Sequence, residues 1–181
     1  MTRALIFSLA CAAAGLSYSG SAHAFEREWH LGGGLGVTAY PRDYSLGPAL
    51  GVNGAYGISD VFDLKLELLA SSQGYQPDAR FAIAHAEPLS VAAGLSYKLD
   101  VLQWIPYAAV LVGYSHVGGT LPIGEPFHRD DAIAALVLGL DYAVSREFGL
   151  GVSVRSDLRI STPSEGETFT PMLRAEYHWG F

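Results

Sequence analysis

The stretch EFGLGVSVRSDLRI (147–160) changes character at every second residue. Phe148, Leu150, Val152, Val154, Leu158 and Ile160 share one parity, while Arg155, Asp157 and Arg159 share the other. Successive side chains of a β-strand point to opposite faces, so this spacing predicts a strand with one apolar and one charged side. The same rule reads outward along the chain. In 131–144, Ala132, Ala134, Leu136, Leu138, Leu140, Tyr142 and Val144 fall on one face, and Asp131, Gly139 and Asp141 on the other. In 61–72, Phe62, Leu64, Leu66 and Leu68 oppose Asp63, Lys65 and Glu67. Segments of this kind cover roughly 28–40, 46–58, 61–72, 88–99, 104–116, 131–144, 147–160 and 169–181.

The connections alternate as well. Ser59-Asp60, Leu99 to Gln103 and Ser145-Arg146 are short, whereas 73–87, 117–130 and 161–168 are longer; 41–45 is the one brief connection on that side. Short turns on one rim and longer loops on the other are the pattern of a transmembrane β-barrel whose short rim faces the periplasm. The expected fold is therefore all-β, an eight-stranded antiparallel up-and-down transmembrane barrel over residues 25–181.

The chain has 181 residues, half of them apolar and 16% charged, with 21 glycines and 10 tyrosines. Barrels use glycine at bends and aromatics at both membrane interfaces. Residues 1–24 carry Arg3, an apolar run from Ala4 to Leu16 and the small-residue ending Ala22-His23-Ala24. That order is a secretory signal peptide cleaved after Ala24; the apolar run is too short for a spanning helix. The uncharged stretch 101–124 is broken by Pro106, Gly113, Gly118, Gly119 and Pro122, which argues against a helix there too. Cys11 is the single cysteine and is lost with the signal, so disulfides, thiolate metal sites and cysteine nucleophiles are excluded from residues 25–181. A lipoprotein reading of Ser8-Leu9-Ala10-Cys11 would leave the small-residue cleavage site unexplained. The net charge is −7, one unit more negative without Arg3, which disfavours a nucleic-acid partner.

The last segment places Phe169, Pro171, Leu173, Ala175, Tyr177, Trp179 and Phe181 on one face. Here the chain resembles the small eight-stranded outer-membrane barrels of the OmpA, OmpX and OmpW kind. The resemblance implies a cell outer-membrane location in a Gram-negative envelope, contact with outer-membrane lipid and lipopolysaccharide, and a terminal signal of Tyr177, Trp179 and Phe181 read by the barrel-assembly machinery. It names no extracellular partner. A soluble lipocalin-like barrel is the rival architecture, and its burial would be inverted, with apolar side chains inward.

If lipid meets the apolar faces, the lumen receives Asp63, Lys65, Glu67, Lys98, Asp141, Arg155, Asp157, Arg159, Arg174 and Glu176, with His30 and His178 near the periplasmic end. An eight-stranded barrel is just wide enough for side chains to fill, and buried charges must be paired. A paired network that plugs the lumen is the expectation, with a gated polar path as its rival. Pro48, Pro88 and Pro171 near the extracellular starts of descending strands, and Pro106 near a periplasmic start, fit ordinary strand beginnings; a side portal for a hydrophobic solute is the alternative. Trp29, Tyr40, Tyr56, Tyr97, Trp104, Tyr107, Tyr114, Tyr142, Phe148, Tyr177, Trp179 and Phe181 are read as interface aromatics.

No catalytic, cofactor or metal signature emerges. Lipid A deacylating barrels place His and Ser two apart on an outward face, and no His-x-Ser follows residue 24. Ser115 and His116 point to opposite faces. Palmitoyl-transferring barrels carry a helix before the first strand, for which there is no room here. Glu125, His128, Asp130 and Asp131 fit no cation-loop template and read as a solvated acidic loop. Gly32-Gly33-Gly34 opens no helix, so it is no phosphate loop; it lets neighbouring bulk pack close. The expected role is a non-enzymatic barrel acting through loops 73–87 and 117–130, with passive transport as the alternative and a lipid-modifying enzyme less favoured.

Overall fold

A computed structural model describes residues 28–40, 45–74, 85–99, 103–120, 125–161 and 167–180. The signal peptide, its cleavage site, Cys11 and Phe181 lie outside the described residues, as do 75–84 and 162–166 of the expected loops. The strands are β1 (Trp29–Tyr40), β2 (Ser45–Gly57), β3 (Phe62–Ser71), β4 (His85–Lys98), β5 (Trp104–Thr120), β6 (Pro126–Ala143), β7 (Phe148–Arg159) and β8 (Glu167–Trp179). After Ser72, β3 continues in a two-residue piece, Gln73–Gly74, that also pairs with β4.

All pairings are antiparallel and join sequence neighbours, except the one between β1 and β8 that closes the barrel. β1 pairs β8, with His30 opposite His178 and Leu35 opposite Leu173, and β3 pairs β4, with Leu66 opposite Ala93. Closure leaves the sheet no free edge strand, which is the condition for crossing lipid. The periplasmic turns are tight. Ile58 and Val144 donate to the carbonyls of Phe62 and Phe148 at 2.9 and 3.0 Å, and the Ser59 hydroxyl accepts from the Phe62 N–H at 3.1 Å.

Burial decides between the two barrel types. Leu173 is 70% exposed on the outside, whereas Arg155 is 1% exposed on the inside. A soluble barrel would reverse these, so the outer face is built for hydrocarbon. Aromatic side chains ring the periplasmic rim. Trp29 packs on Tyr56 (4.8 Å between centroids), Phe62 on Tyr97 (5.3 Å), Trp104 on Tyr142 (5.0 Å) and Tyr177 on Trp179 (5.9 Å), and Phe148 stands opposite Tyr177. Amphipathic rings settle at the headgroup level, so this girdle marks one membrane boundary.

Several strand ends on the exterior side reach past the sequence reading. The stretch 117–130 was expected as a loop, yet β5 runs to Thr120 and β6 begins at Pro126; β4 likewise begins at His85 rather than at residue 88. A spanning strand needs only about 9–11 residues, so the 17-residue β5 and the 18-residue β6 project past the bilayer. Beyond the lipid no apolar outer face is required. The hydrogen-bonded ladder therefore continues through Gly118, Gly119, His128 and Asp130 after the alternation that signals a strand has ended.

The prolines sit in an otherwise continuous ladder. Pro48 pairs Val37, Pro88 pairs Val117 and Pro106 pairs Leu140. Beside Pro171 a seam thins out: the β1–β8 register runs through Gly36 and Met172, then resumes at Ala39 and Phe169. Pro171 has no N–H to donate. The Thr38 and Thr170 hydroxyls bridge the gap at 3.0 Å.

Candidate functional site

The lumen has two unlike walls. On β4, β5 and β6, Ala92, Tyr107, Ala109, Leu111, Ile133, Ala135 and Val137 form a buried apolar cluster. The charges stand opposite, mainly on β3, β7 and β8. The alternation of β3, β7 and β8 delivers them, because inward parity there falls on Asp63, Lys65 and Glu67, on Arg155, Asp157 and Arg159, and on Arg174 and Glu176.

At mid-height Arg155 is the hub. Its Nε donates to Asp157 at 2.9 Å, Nη1 to Glu67 Oε1 at 2.8 Å, and Nη2 to the Ser90 hydroxyl at 3.3 Å. Lys65 reaches the other oxygen of Glu67 at 3.3 Å. Each ion thus meets an opposite charge within hydrogen-bonding range, the condition under which buried ions are tolerated.

Toward the periplasm a second cluster gathers. Lys98 contacts Asp63 at 2.9 Å, and its ammonium lies 3.3 Å from His30 Nε2. Arg174 binds Glu176 and donates to the Tyr107 hydroxyl, and its Nε is 3.5 Å from Asp141. Asn53 donates to Glu176 Oε2 at 3.1 Å. Toward the exterior, Asp131 receives Arg129 at 2.8 Å and faces Arg159 at 3.9 Å. All ten charged residues expected inside lie on the inner face, distributed among these three levels.

The sequence reading placed Tyr107 among the interface aromatics, and the structure corrects this. Tyr107 is buried in the lumen, its ring flanked by Lys65 (5.0 Å to the centroid) and Arg174 (4.8 Å). Its parity was the available signal: it belongs with Ile105, Ala109 and Leu111, whereas Trp104 and Tyr114 belong to the outer face. Asn53, Ser90 and Glu28 were also missed, because uncharged inner residues and a charge just before a strand leave no contrast to read.

Tyr107 lies over Gly139, its partner on β6, where a Cβ would sit 2.3 Å from the ring. Gly139→Ala is therefore expected to push the ring off its cations and cost about 1–3 kcal/mol of stability. Gly33→Ala is the control, since its Cβ would meet only the Gly51 carbonyl at 3.6 Å. Urea midpoints of the two refolded variants check this, and equal midpoints would contradict the close packing. Gly34 and Gly51 play a similar part for Met172, whose methyl would lie 3.1 and 2.7 Å from their added carbons.

On the projecting outer face, His116 contacts Asp130 at 2.6 Å and stacks on His128 at 5.7 Å. Hydrogen bonds from His116, then Tyr114, hold the Asp130 carboxyl below its usual range. Asp131, grouped with Glu125, His128 and Asp130 as an acidic loop but placed with Gly139 and Asp141 by the alternation of 131–144, follows the alternation and turns inward, because the ladder imposes strand parity on it.

Comparison with known proteins gives the same architecture. No curated protein matches the sequence. Among solved structures, Ail, the attachment invasion locus protein of Yersinia pestis, is 15% identical with a TM-score of 0.61, covering 85% of this chain and 99% of that one. Neisserial surface protein A is 13% identical with a TM-score of 0.62, covering 88% and 100%. OprG from Pseudomonas aeruginosa is 15% identical with a TM-score of 0.62, covering 86% and 97%. At such identities the likeness is one of fold. The model of the outer membrane protein β-barrel domain matches residues 8–171. With its closed eight-stranded sheet and lipid-facing exterior, the chain belongs to the outer membrane protein β-barrel domain family and resides in the outer membrane.

Proposed function

We propose that this protein is a non-enzymatic barrel whose lumen is plugged by its ion pairs, and whose work is structural or is done by contacts outside the cell. The observation that carries this reading is Arg155, tied at once to β3, β4 and β7 across the barrel axis. Two cavities flank it, of about 30 and 20 Å³. A water needs roughly 10–15 Å³ measured this way, so these hold a water or two and no solute file. Surface contact would then fall to the projecting β5–β6 hairpin and the long loops. Ail has been crystallised with the heparin analogue sucrose octasulfate. For the present chain a net charge of −7 and the exposed Glu87, Glu125 and Asp130 favour a neutral or cationic partner over a polyanion.

Passive transport is the second reading, and the thinned seam beside Pro171 favours a side portal over the lumen. Planar-bilayer recording of the refolded protein separates the two. The plugged barrel is expected to give no steady unitary conductance. Openings that persist in wild type and vanish when Ser153→Trp adds bulk beside Lys65 and Glu67 would sink the plug. Export after cleavage at Ala24, and assembly through Tyr177, Trp179 and Phe181, belong to the same proposal. Tyr177 and Trp179 are exposed on the outer face, where a receptor could reach them before insertion.

A further inference from the structure

Among the described residues, one group of three metal-ligating side chains converges: the donor atoms of His30, Glu176 and His178 all lie within 4.8 Å of one another. Glu176 Oε1 is 3.0 Å from His30 Nδ1 and 3.3 Å from His178 Nε2. Ligand atoms about 2.0–2.2 Å from a tetrahedral ion stand at comparable separations. The β1–β8 register fixes the tripod. His30 is directly opposite His178, and Glu176 is one inward position further along β8. The other carboxylate oxygen of Glu176 is held by Asn53 and Arg174, which leaves Oε1 turned to both imidazoles.

Charge balance points the same way. At this end of the lumen, the carboxylates of Glu28, Asp63, Asp141 and Glu176 outnumber the cations Lys98 and Arg174 by two when both histidines are neutral. Buried charge without compensation is costly. Buried carboxylate oxygens record the shortfall: Glu28 Oε2, like Asp141 Oδ1, accepts no hydrogen bond among the described residues, and it lies 3.9 Å from His30 Nε2.

We propose that His30, Glu176 and His178 form a binding site for a borderline divalent cation such as Zn²⁺ at the periplasmic mouth of the lumen. Two imidazoles and a carboxylate are the ligand set such ions take, with a fourth position open to water. Without metal, Lys98 donates to His30 Nε2, so the ring proton sits on Nδ1 and faces Glu176. When the cation takes Nδ1, that proton is replaced by one on Nε2, and the orphaned Glu28 oxygen becomes its acceptor. Glu28 is thus a positioning residue of the carboxylate–histidine–metal kind. The cation supplies the two missing positive charges. The tripod binds the cation whether or not the lumen conducts.

The test uses the refolded full barrel in detergent, with Zn²⁺ alone as titrant and Co²⁺ as a spectroscopic substitute. Wild type is expected to bind one Zn²⁺ per chain and to give tetrahedral Co²⁺ absorption. His178→Gln and His30→Gln should each weaken binding by about 100-fold or more, and Glu28→Gln by about 10–100-fold without abolishing the Co²⁺ spectrum. His116→Gln and His128→Gln, on the outer face, should leave it unchanged. The mobility difference between boiled and unboiled gel samples shows that each variant is folded, and Glu28 lies outside the strand ladder should His30→Gln misassemble. No Zn²⁺ uptake by folded wild type would overturn the proposal. So would uptake lost only in the His116 and His128 variants.

Discussion

Replacing Arg155 with Met lowers the stability of the refolded barrel by about 3–5 kcal/mol, the loss expected when one partner is removed from a buried ion cluster. Met keeps an unbranched apolar stem and ends two atoms short of the terminal guanidinium nitrogens, so what is lost is chiefly the charged tip and its hydrogen bonds. What changes is the company of two acids. Glu67 keeps Lys65 at 3.3 Å, but Asp157 loses the guanidinium that contacts it through both Nε and Nη2. The cost therefore falls chiefly on Asp157 and should be recovered in part by Arg155→Met combined with Asp157→Asn. Removing a whole buried ion set is commonly neutral or stabilising, whereas removing half is not. Arg159→Met supplies the contrast. Arg159 sits at the wetter exterior level, 3.9 Å from Asp131, and about 0–1 kcal/mol is expected there. Urea unfolding followed by tryptophan fluorescence reads all of these. A loss at Arg155 below about 1 kcal/mol, or no recovery in the double variant, would mean that the cluster is solvated and the lumen is not plugged.

The architecture was legible because lipid imposes its demand on every second residue. Phe148 to Ile160 and Phe62 to Leu68 could be read without ambiguity, since charged inner neighbours sharpened the contrast. The same logic fails where neither face has a strong requirement. Past the bilayer, Gly118, Gly119 and His128 continue the ladder with no apolar mark, so the β5–β6 hairpin read as loop. On β5 the inner face is itself apolar, through Ile105, Ala109 and Leu111, so nothing in the local pattern separates Tyr107 from an interface ring except its parity. Parity gave the charged inner residues but not their partners. His30 and Glu176 are 146 residues apart and meet only because β1 and β8 close the barrel, a pairing that no local pattern announces.

A depth series on the outer face gives the second large effect. Leu136 stands on β6 between Val110 of β5 and Ser156 of β7, about midway between the ends of the apolar stripe, and is 47% exposed. Leu136→Arg is expected to cost about 2–4 kcal/mol in lipid vesicles, because the guanidinium must be dragged into hydrocarbon or reach for a distant interface. Leu140→Arg, nearer Tyr142 and the periplasmic girdle, should cost less. Val144→Arg, in the turn past that girdle, should cost about 0–1 kcal/mol. On a water-soluble barrel all three sites would be ordinary exposed positions, with changes of roughly ±0.5 kcal/mol and no trend along the strand. The gradient is therefore the informative quantity, more than any single value. It depends on distance from the girdle and not on local packing, since the three residues share one face of one hairpin. A flat, small series measured in vesicles would place the outer wall in water, whereas a slope falling toward Val144 also fixes which rim the aromatic ring belongs to.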